Sequence, residues 1–149
     1  MQQHRKEGLY TLFYLERNMS KIHRTLIVED NATFRQILVN LLSYQFPLME
    51  VAEAEDSLEA FKIIHEFSPD IIFFDIKLPG ESGLELTKKV KIAYPDIVVV
   101  ILTSYDMPEY RKAATQYGAD YFFSKGSPSV ANSVLALIED ILSGAAPSN

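Results

Sequence analysis

Four short apolar runs of the sequence each end in polar or charged residues. Those residues are Glu29-Asp30, Asp75, Thr103-Ser104 and Lys125. Taken singly, each has an ordinary explanation: an acidic residue after a strand often caps the next helix, and a lone Thr or Lys is usually a solvated loop residue. Asp75 fits this explanation poorly because it directly follows Ile-Ile-Phe-Phe, where an unpartnered ionised side chain is costly. The coincidence of all four favours one shared site.

The chemistry open to such a set is narrow. Clustered carboxylates repel one another unless a hard divalent cation neutralises them, and Mg²⁺ binds one or two carboxylates together with water and phosphate oxygens. A carboxylate at that metal can attack phosphorus and become an aspartyl phosphate. Lys125 would then place positive charge near the phosphoryl oxygens, and Thr103 would donate a hydrogen bond to one of them. The sequence has no Walker-type glycine-rich loop with a lysine, so ATP is not expected as the direct donor.

The elements that must position these residues follow from the hydrophobic pattern. Continuous runs rich in β-branched or aromatic residues predict strands covered on both faces, over 25–28, 70–75, 97–103 and 120–124, with a weaker strand near 48–54. Between them, apolar residues at helical spacing predict helices that each bury one face in the core. The three sets are Phe34, Ile37, Leu38, Leu41 and Leu42; Leu58, Phe61, Ile63 and Ile64; and Leu84, Leu86, Val90 and Ile92.

Capping residues support the same helices. Asp56 or Ser57 can cap the second, and Ser82 with Glu85 has the spacing of a capping box. Pro108 suits the first turn of a helix that reaches Tyr117, and Gly118 suits the left-handed position at its C-terminal end. A final helix spans 130–141. Strands alternating with such helices predict a single α/β domain with a parallel sheet, which binds ligands at the carboxyl ends of its strands.

Composition narrows the class of protein. The chain has 149 residues and a mass of 16.9 kDa, so one domain is expected. The absence of cysteine excludes thiol catalysis and cysteine-ligated metals. A formal charge of −6 argues against direct nucleic-acid binding. Without a long apolar run or a secretory signal, the expected location is the cytoplasm, with no membrane association.

Four motifs in order resemble the receiver domains of response regulators in bacterial two-component signalling. They are Leu-Ile-Val-Glu-Asp at 26–30, the segment Asp-Ile-Lys-Leu-Pro-Gly-Glu-Ser-Gly at 75–83, Leu-Thr-Ser at 102–104, and Gly-Ala-Asp at 118–120 leading to Ser-Lys at 124–125. The resemblance covers about 21–142. It implies a flavodoxin-like, doubly wound α/β fold: a five-stranded parallel sheet in the order 2-1-3-4-5, flanked by five helices.

The resemblance also implies the role of each site residue. Asp75 would accept a phosphoryl group from a sensor histidine kinase or a phosphotransfer protein, with Lys125 as the pairing ammonium. Glu29, Asp30, Asp75 and the backbone carbonyl of Lys77 would hold Mg²⁺, with Mn²⁺ as an alternative. Thr103 resembles the switch hydroxyl.

Further positions of the resemblance concern switching and phosphate lifetime. Phe122 stands at the aromatic switch position, where tyrosine is frequent, so the switch would depend on packing instead of a phenolic hydrogen bond. Lys77 and Tyr105 stand two residues after Asp75 and Thr103, on the approach of hydrolytic water, and we expect them to set the phosphate lifetime. Gly126 follows Lys125 at a position where many receivers have a proline with a cis bond. This departure resembles the subclass of receivers that are usually joined to helix-turn-helix output domains.

Three functions remain open from the sequence. The chain is a stand-alone switch whose helix 4–strand 5–helix 5 face, about 108–142, binds a partner protein when Asp75 is phosphorylated, or it is a phosphotransfer intermediate or phosphate sink. The third alternative is a fragment of a helix-turn-helix transcription regulator that lacks its output domain. In each, Mg²⁺-dependent self-phosphorylation and autodephosphorylation belong to a signalling protein and not to a turnover enzyme. The expected state is a monomer or a phosphorylation-linked homodimer.

The expected domain boundaries are 1–20 for an N-terminal extension, 21–143 for the receiver domain and 144–149 for a flexible tail. The extension contains the dense apolar segment Gly-Leu-Tyr-Thr-Leu-Phe-Tyr-Leu at 8–15. It is either an added element that docks on the domain or a partner, or the product of a start codon read too early, since Met-Ser-Lys at 19–21 would make an ordinary receiver beginning.

Overall fold

A computed structural model describes residues 23–144, and the N-terminal extension with most of the predicted tail lies outside the described residues. Five strands alternate with five helices in this part of the chain. In order they are β1 Arg24–Val28, α1 Ala32–Gln45, β2 Glu50–Ala54, α2 Ser57–Phe67, β3 Ile71–Phe74, α3 Gly83–Ala93, β4 Val98–Thr103, α4 Pro108–Gln116, β5 Tyr121–Ser124 and α5 Val130–Leu142.

The strands form one parallel sheet in the order β2-β1-β3-β4-β5. This confirms the predicted fold class, strand order and number of helices. β1 lies between β2 and β3. The direction in which successive strands are added to the sheet reverses at this place. Ligand sites of such sheets lie at the carboxyl ends of the strands beside this point.

Two apolar layers cover the two faces of the sheet. Alternating residues of each strand point to opposite faces, so that Leu26 and Val28 pack with α2, α3 and α4, whereas Ile27 packs with α1 and α5. The three central strands are buried along nearly their whole length. Their carboxyl ends are therefore held in a fixed register by the core.

Several helix caps predicted from the sequence are present. The Asp56 side chain accepts a hydrogen bond from the Glu59 N–H at 2.8 Å, and the Ser82 hydroxyl accepts one from the Glu85 N–H at 3.2 Å. Gly118 follows α4 with φ of +94°, a conformation that favours glycine. These caps fix where each helix begins or ends next to a strand.

Some predicted core positions are wrong. Ile37, Leu58 and Ile92 are 60%, 82% and 76% exposed, because each lies on the solvent side of its helix. The fourth predicted strand, β5, contacts both apolar layers, Phe122 on one face and Phe123 on the other, but these rings are only half-buried because β5 lies at the edge of the sheet. No helix of residues 23–144 has the length and apolar character needed to cross a membrane.

Candidate phosphoryl-acceptor site

Three carboxylates meet where β1 and β3 end. The Asp75 N–H donates to the Val28 carbonyl at 3.2 Å, which continues the pairing of β3 with β1 and places Asp75 beside Glu29. Glu29 is 3% exposed and Asp75 is 7% exposed, whereas Asp30 faces solvent. One oxygen atom from each of the three side chains lies within 4.8 Å of the others. The geometry thus brings together the three carboxylates that the sequence singled out.

Lys125 joins this cluster from the far edge of the sheet. Its backbone N–H donates to the Thr103 carbonyl at 2.9 Å, which continues the pairing of β5 with β4. Its ammonium forms an ion pair with Glu29 and another with Asp75 Oδ2 at 3.0 Å. The same ammonium lies 4.3 Å from the centre of the Phe34 ring. A residue 50 positions from Asp75 is therefore held against it by sheet register.

The backbone around Asp75 is tightly constrained. Its Oδ1 accepts a hydrogen bond from the Ile76 N–H at 2.7 Å, and the Gly83 N–H donates to the Ile76 carbonyl at 2.9 Å. A Cβ atom at Gly83 would lie 1.9 Å from the Asp75 carbonyl oxygen. Glycine is therefore required where α3 begins, because its backbone packs directly on the loop that carries Asp75.

The charges of the cluster are unbalanced. Three carboxylates share one ammonium, which leaves two negative charges in excess when all four groups are ionised. Burial raises the pKa of Glu29 to about 7, and the neighbouring Asp75 adds to this, although the ion pair with Lys125 opposes it. Burial alone would lower the pKa of Lys125, but hydrogen bonds to Glu29 and Asp75 raise it above its ordinary value.

This donor set fits a hard divalent cation. Carboxylate oxygens are preferred ligands of Mg²⁺ and Mn²⁺, and a cation would neutralise the excess negative charge that burial makes costly. Lys77 lies in the loop between β3 and α3, two residues beyond Asp75, and the role of its backbone carbonyl as a metal ligand stays a prediction. A second carboxylate group, Glu55, Asp56 and Glu59, lies at the start of α2, where the Asp56 side chain caps the helix.

Thr103 ends β4 and is fully buried. Its Oγ1 accepts a hydrogen bond from the Tyr105 N–H at 3.2 Å, so the hydroxyl is tied to the loop between β4 and α4. Because β4 pairs with both β3 and β5, Thr103 belongs to the same edge as Asp75 and Lys125.

Phe122 is covered by an arginine that the sequence analysis did not single out. The Arg111 guanidinium lies 4.5 Å from the centre of the Phe122 ring. Asp106 holds this guanidinium through two hydrogen bonds, from Nε at 2.5 Å and from Nη2 at 3.2 Å. The hydrogen bond from Arg111 also lowers the pKa of Asp106. The loop that begins at Thr103 is thereby connected to the predicted switch aromatic.

Lys77 and Tyr105 contact each other. The Lys77 ammonium lies 5.3 Å from the centre of the Tyr105 ring and 5.6 Å from that of Tyr110, a residue of α4. The sequence paired Lys77 with Tyr105 by their positions relative to Asp75 and Thr103, and it gave no signal for Tyr110.

Comparison with known proteins decides the family. The family model described as the response regulator receiver domain matches residues 25–136, most of the chain. This chain belongs to the response regulator receiver domain family. The four motifs of the sequence and the order of the strands agree with that assignment, which makes the chain the receiver domain of a two-component response regulator.

The curated relatives are longer than the segment that they share with this chain. The oxygen regulatory protein NreC from Staphylococcus epidermidis is 36% identical over 106 residues, which cover 70% of this chain and 49% of that protein. The chain thus spans about half the length of the curated relatives it matches.

Solved receiver structures superpose closely. A CheY-like receiver domain protein from Methanospirillum hungatei has a TM-score of 0.75 at 26% identity, covering 84% of this chain and 97% of that one. A DNA-binding response regulator of the LuxR family from Staphylococcus aureus has a TM-score of 0.73 at 26% identity, covering 80% and 98%.

Proposed function

We propose that this receiver domain is a phosphorylation-dependent switch in which Asp75 accepts a phosphoryl group from a histidine kinase or a phosphotransfer protein. The observation that carries the proposal is the buried Asp75 carboxylate, paired with Lys125 and surrounded by two further carboxylates. Such a cluster holds an acceptor oxygen, a cation for the phosphoryl oxygens and ligands for a metal at one point. Each molecule accepts and later loses one phosphoryl group, so it acts as a signalling protein and not as a turnover enzyme.

Glu29, Asp30, Asp75 and the Lys77 carbonyl would hold Mg²⁺ in this role. When bound, Mg²⁺ offsets the negative charge of the carboxylates and of the incoming phosphoryl oxygens. The Lys125 ammonium would pair with a phosphoryl oxygen in place of Glu29. The Glu29 carboxylate would then be available to bind the metal. The buried Thr103 hydroxyl donates a hydrogen bond to another of these oxygens.

The signal reaches the surface through the loop between β4 and α4. Movement of Thr103 toward the phosphoryl group pulls this loop, which carries Asp106, the partner of Arg111. Arg111 covers Phe122, so a change in the loop alters the packing of that ring. The two arrangements of α4, β5 and α5 differ in affinity for a partner, and the phosphoryl group shifts the population between them.

The output of the whole protein is a second proposal. The relatives are about twice as long as the matched segment, and one similar structure is a DNA-binding response regulator of the LuxR family. Together with Gly126 after Lys125, this favours a helix-turn-helix output domain in a longer protein over a stand-alone switch. A phosphate sink would show fast phosphoryl transfer with no change in affinity for any partner.

The experiment that tests the switch combines a phosphodonor with NMR. The ¹⁵N-labelled chain is incubated with Mg²⁺ and acetyl phosphate, and intact-mass spectrometry follows the added phosphoryl group. We expect one group per chain, together with backbone shift changes at the site and across α4, β5 and α5. Shift changes confined to the residues around Asp75 would leave acceptance intact but contradict the switch. An unchanged mass in the presence of Mg²⁺, repeated under rapid quenching, together with no shift changes at the site on addition of beryllofluoride, would contradict acceptance itself.

A further inference from the structure

Lys77, Tyr105 and Tyr110 form a cluster that we call the lysine clamp. The Lys77 ammonium lies within 5.6 Å of both ring centres, and the rings meet edge to face at 87° with centres 6.4 Å apart. Seven cation–ring contacts are found among the described residues, and Lys77 is the one cation in them that faces two rings. The clamp therefore restricts a side chain that would otherwise sample many rotamers.

The clamp joins three elements beside the acceptor. Lys77 lies on the loop that follows Asp75, Tyr105 lies on the loop that follows Thr103, and Tyr110 lies in the first turns of α4. The Tyr105 N–H is bonded to the Thr103 hydroxyl, so one ring of the clamp is tied to the site. Tyr110 packs against the core layer under α4, which gives the other ring a fixed position.

We propose that Tyr110 is a positioning residue for the hydrolysis of the phosphorylated domain, because it holds Lys77, which the family resemblance places on the approach of hydrolytic water. This inference rests on the proposed function. Lys77 and Tyr105 then act on the phosphate lifetime as one unit, and Tyr110 belongs to that unit although it lies outside the two loops.

The step that the clamp limits is hydrolysis of the acyl phosphate. The oxygen of a water molecule forms a bond to phosphorus as the bond between phosphorus and the Asp75 side-chain oxygen breaks. The electron pair of the breaking bond stays on the Asp75 carboxylate, the phosphoryl group leaves as inorganic phosphate, and a proton of the water passes to solvent. The clamp takes no part in bond making, and it controls how often water reaches the phosphorus atom.

The test measures how fast the phosphoryl group is lost in matched variants. Wild type, Tyr110→Leu, Lys77→Met and the double variant are phosphorylated with acetyl phosphate and Mg²⁺, the donor is removed, and intact mass is followed with time. Tyr110→Leu removes one of the two contacts of Lys77 and should lose the group about three- to fivefold faster, the scale of one exposed cation–ring contact. Lys77→Met removes both contacts and should decay at least as fast, and the double variant should be no faster than Lys77→Met, because Tyr110 acts through Lys77.

Two controls separate the clamp from general effects. Tyr110→Phe keeps the ring and should keep the wild-type rate. Lys88→Met removes a lysine of the same charge that lies 5.4 Å from the Tyr117 ring, away from the two loops, and should also decay as wild type. Unchanged decay in Tyr110→Leu, or effects of the two single variants that multiply in the double variant, would overturn the inference.

An NMR readout tests the clamp without phosphorylation. The ε-methylene protons of Lys77 should be shifted upfield by the two rings in the wild type and should return toward ordinary lysine values in Tyr110→Leu. Lysine values in the wild type would overturn the clamp even if Tyr110→Leu proves too unstable to assay. If the wild type takes no phosphoryl group while the Lys77 shift is present, the clamp exists but the proposed function fails, and its role in hydrolysis fails with it.

Discussion

Two lysines hold aspartates at opposite ends of the sheet, and their surroundings differ in charge balance. At the amino ends of β4 and β5, the Lys91 ammonium donates to the carbonyls of Pro95 and Ile97 and to Asp120 Oδ2, at 3.0, 2.8 and 3.0 Å. Asp120 Oδ2 also accepts the Val99 N–H at 2.9 Å. One cation thus meets one carboxylate, and its three protons each have an acceptor.

At the carboxyl ends of the strands, the positive and negative charges do not balance. Lys125 forms ion pairs with both Glu29 and Asp75, and Asp30 adds a third carboxylate. The raised pKa of Glu29 shows that a negative charge is unfavourable in this buried pocket. A lysine–aspartate pair whose charges balance holds two elements together. A cluster with an excess of carboxylate charge favours the binding of a further cation. The same residue types therefore serve structure at one end of the sheet and, in our proposal, chemistry at the other.

Replacing the two aspartates should give the largest contrast. Asp75→Asn removes the nucleophilic oxygen and should abolish phosphoryl incorporation from acetyl phosphate, measured by intact mass. Asp120→Asn at the opposite end should still accept the group. Equal incorporation into Asp75→Asn and wild type would break the distinction between the two ends.

Replacing each of the two lysines should lower the stability of the domain, and only the loss at Lys125 should depend on Mg²⁺. Lys91→Met removes the ammonium that donates to two carbonyls and to Asp120, and should lower the free energy of unfolding by about 1–3 kcal/mol, with or without Mg²⁺. Lys125→Met should also destabilise the metal-free domain, but Mg²⁺ should restore part of the loss, since a divalent cation balances the same carboxylates. Urea unfolding in EDTA and in Mg²⁺ measures both, and an equal response of the two variants to Mg²⁺ would contradict this account.

Loss of a proposed metal ligand should weaken Mg²⁺ binding. Asp30→Asn is expected to lower the affinity about tenfold by calorimetric titration, because a carboxylate oxygen is a stronger ligand for this ion than an amide oxygen. Glu59→Gln, in the exposed acidic group at the start of α2, is the matched control and should bind Mg²⁺ as wild type does. The reverse pattern would move the metal to α2.

The smallest expected effect concerns the ring at the switch position. Arg111→Gln removes the guanidinium from Phe122 and should change the population of the active arrangement about two- to fivefold, the scale of an exposed cation–ring contact. The populations can be measured by NMR of the Phe122 ring during titration with beryllofluoride and Mg²⁺. Arg24→Gln is the control, because Arg24 lies 5.9 Å from the Phe67 ring and also pairs with a glutamate, away from the switch. Equal effects of the two variants would remove Arg111 from the switch.

Much of this architecture follows from the sequence because strand ends and sheet order are set by apolar runs. The runs before Glu29 and Asp75 predicted strands whose ends meet, and the structure brings the predicted carboxylates and Lys125 together. The prediction of which helix residues are buried was less accurate, because Leu58 and Ile92 are apolar residues on the solvent-facing sides of otherwise amphipathic helices. Periodicity alone cannot tell such residues from core residues.

Contacts between side chains on different elements could not be predicted from the sequence. Nothing in the spacing of Arg111 and Phe122, or of Lys77 and Tyr110, indicates that a cation lies over a ring. These contacts depend on how α4 sits against the sheet and on the rotamers of long side chains. The sequence therefore identified the residues expected to carry the chemistry, and it gave no signal for Arg111 and Tyr110, which contact two of them.

The most direct test of the central claim is to locate the phosphoryl group by chemical mapping. After reaction with acetyl phosphate and Mg²⁺, the chain is reduced with borohydride, which converts an aspartyl phosphate to homoserine, and the peptides are sequenced by mass spectrometry. We predict homoserine at residue 75, dependent on Mg²⁺. Homoserine at Asp30 or at another carboxylate, or labelling of residue 75 that does not need a divalent cation, would contradict the assignment of the unbalanced cluster as the acceptor site.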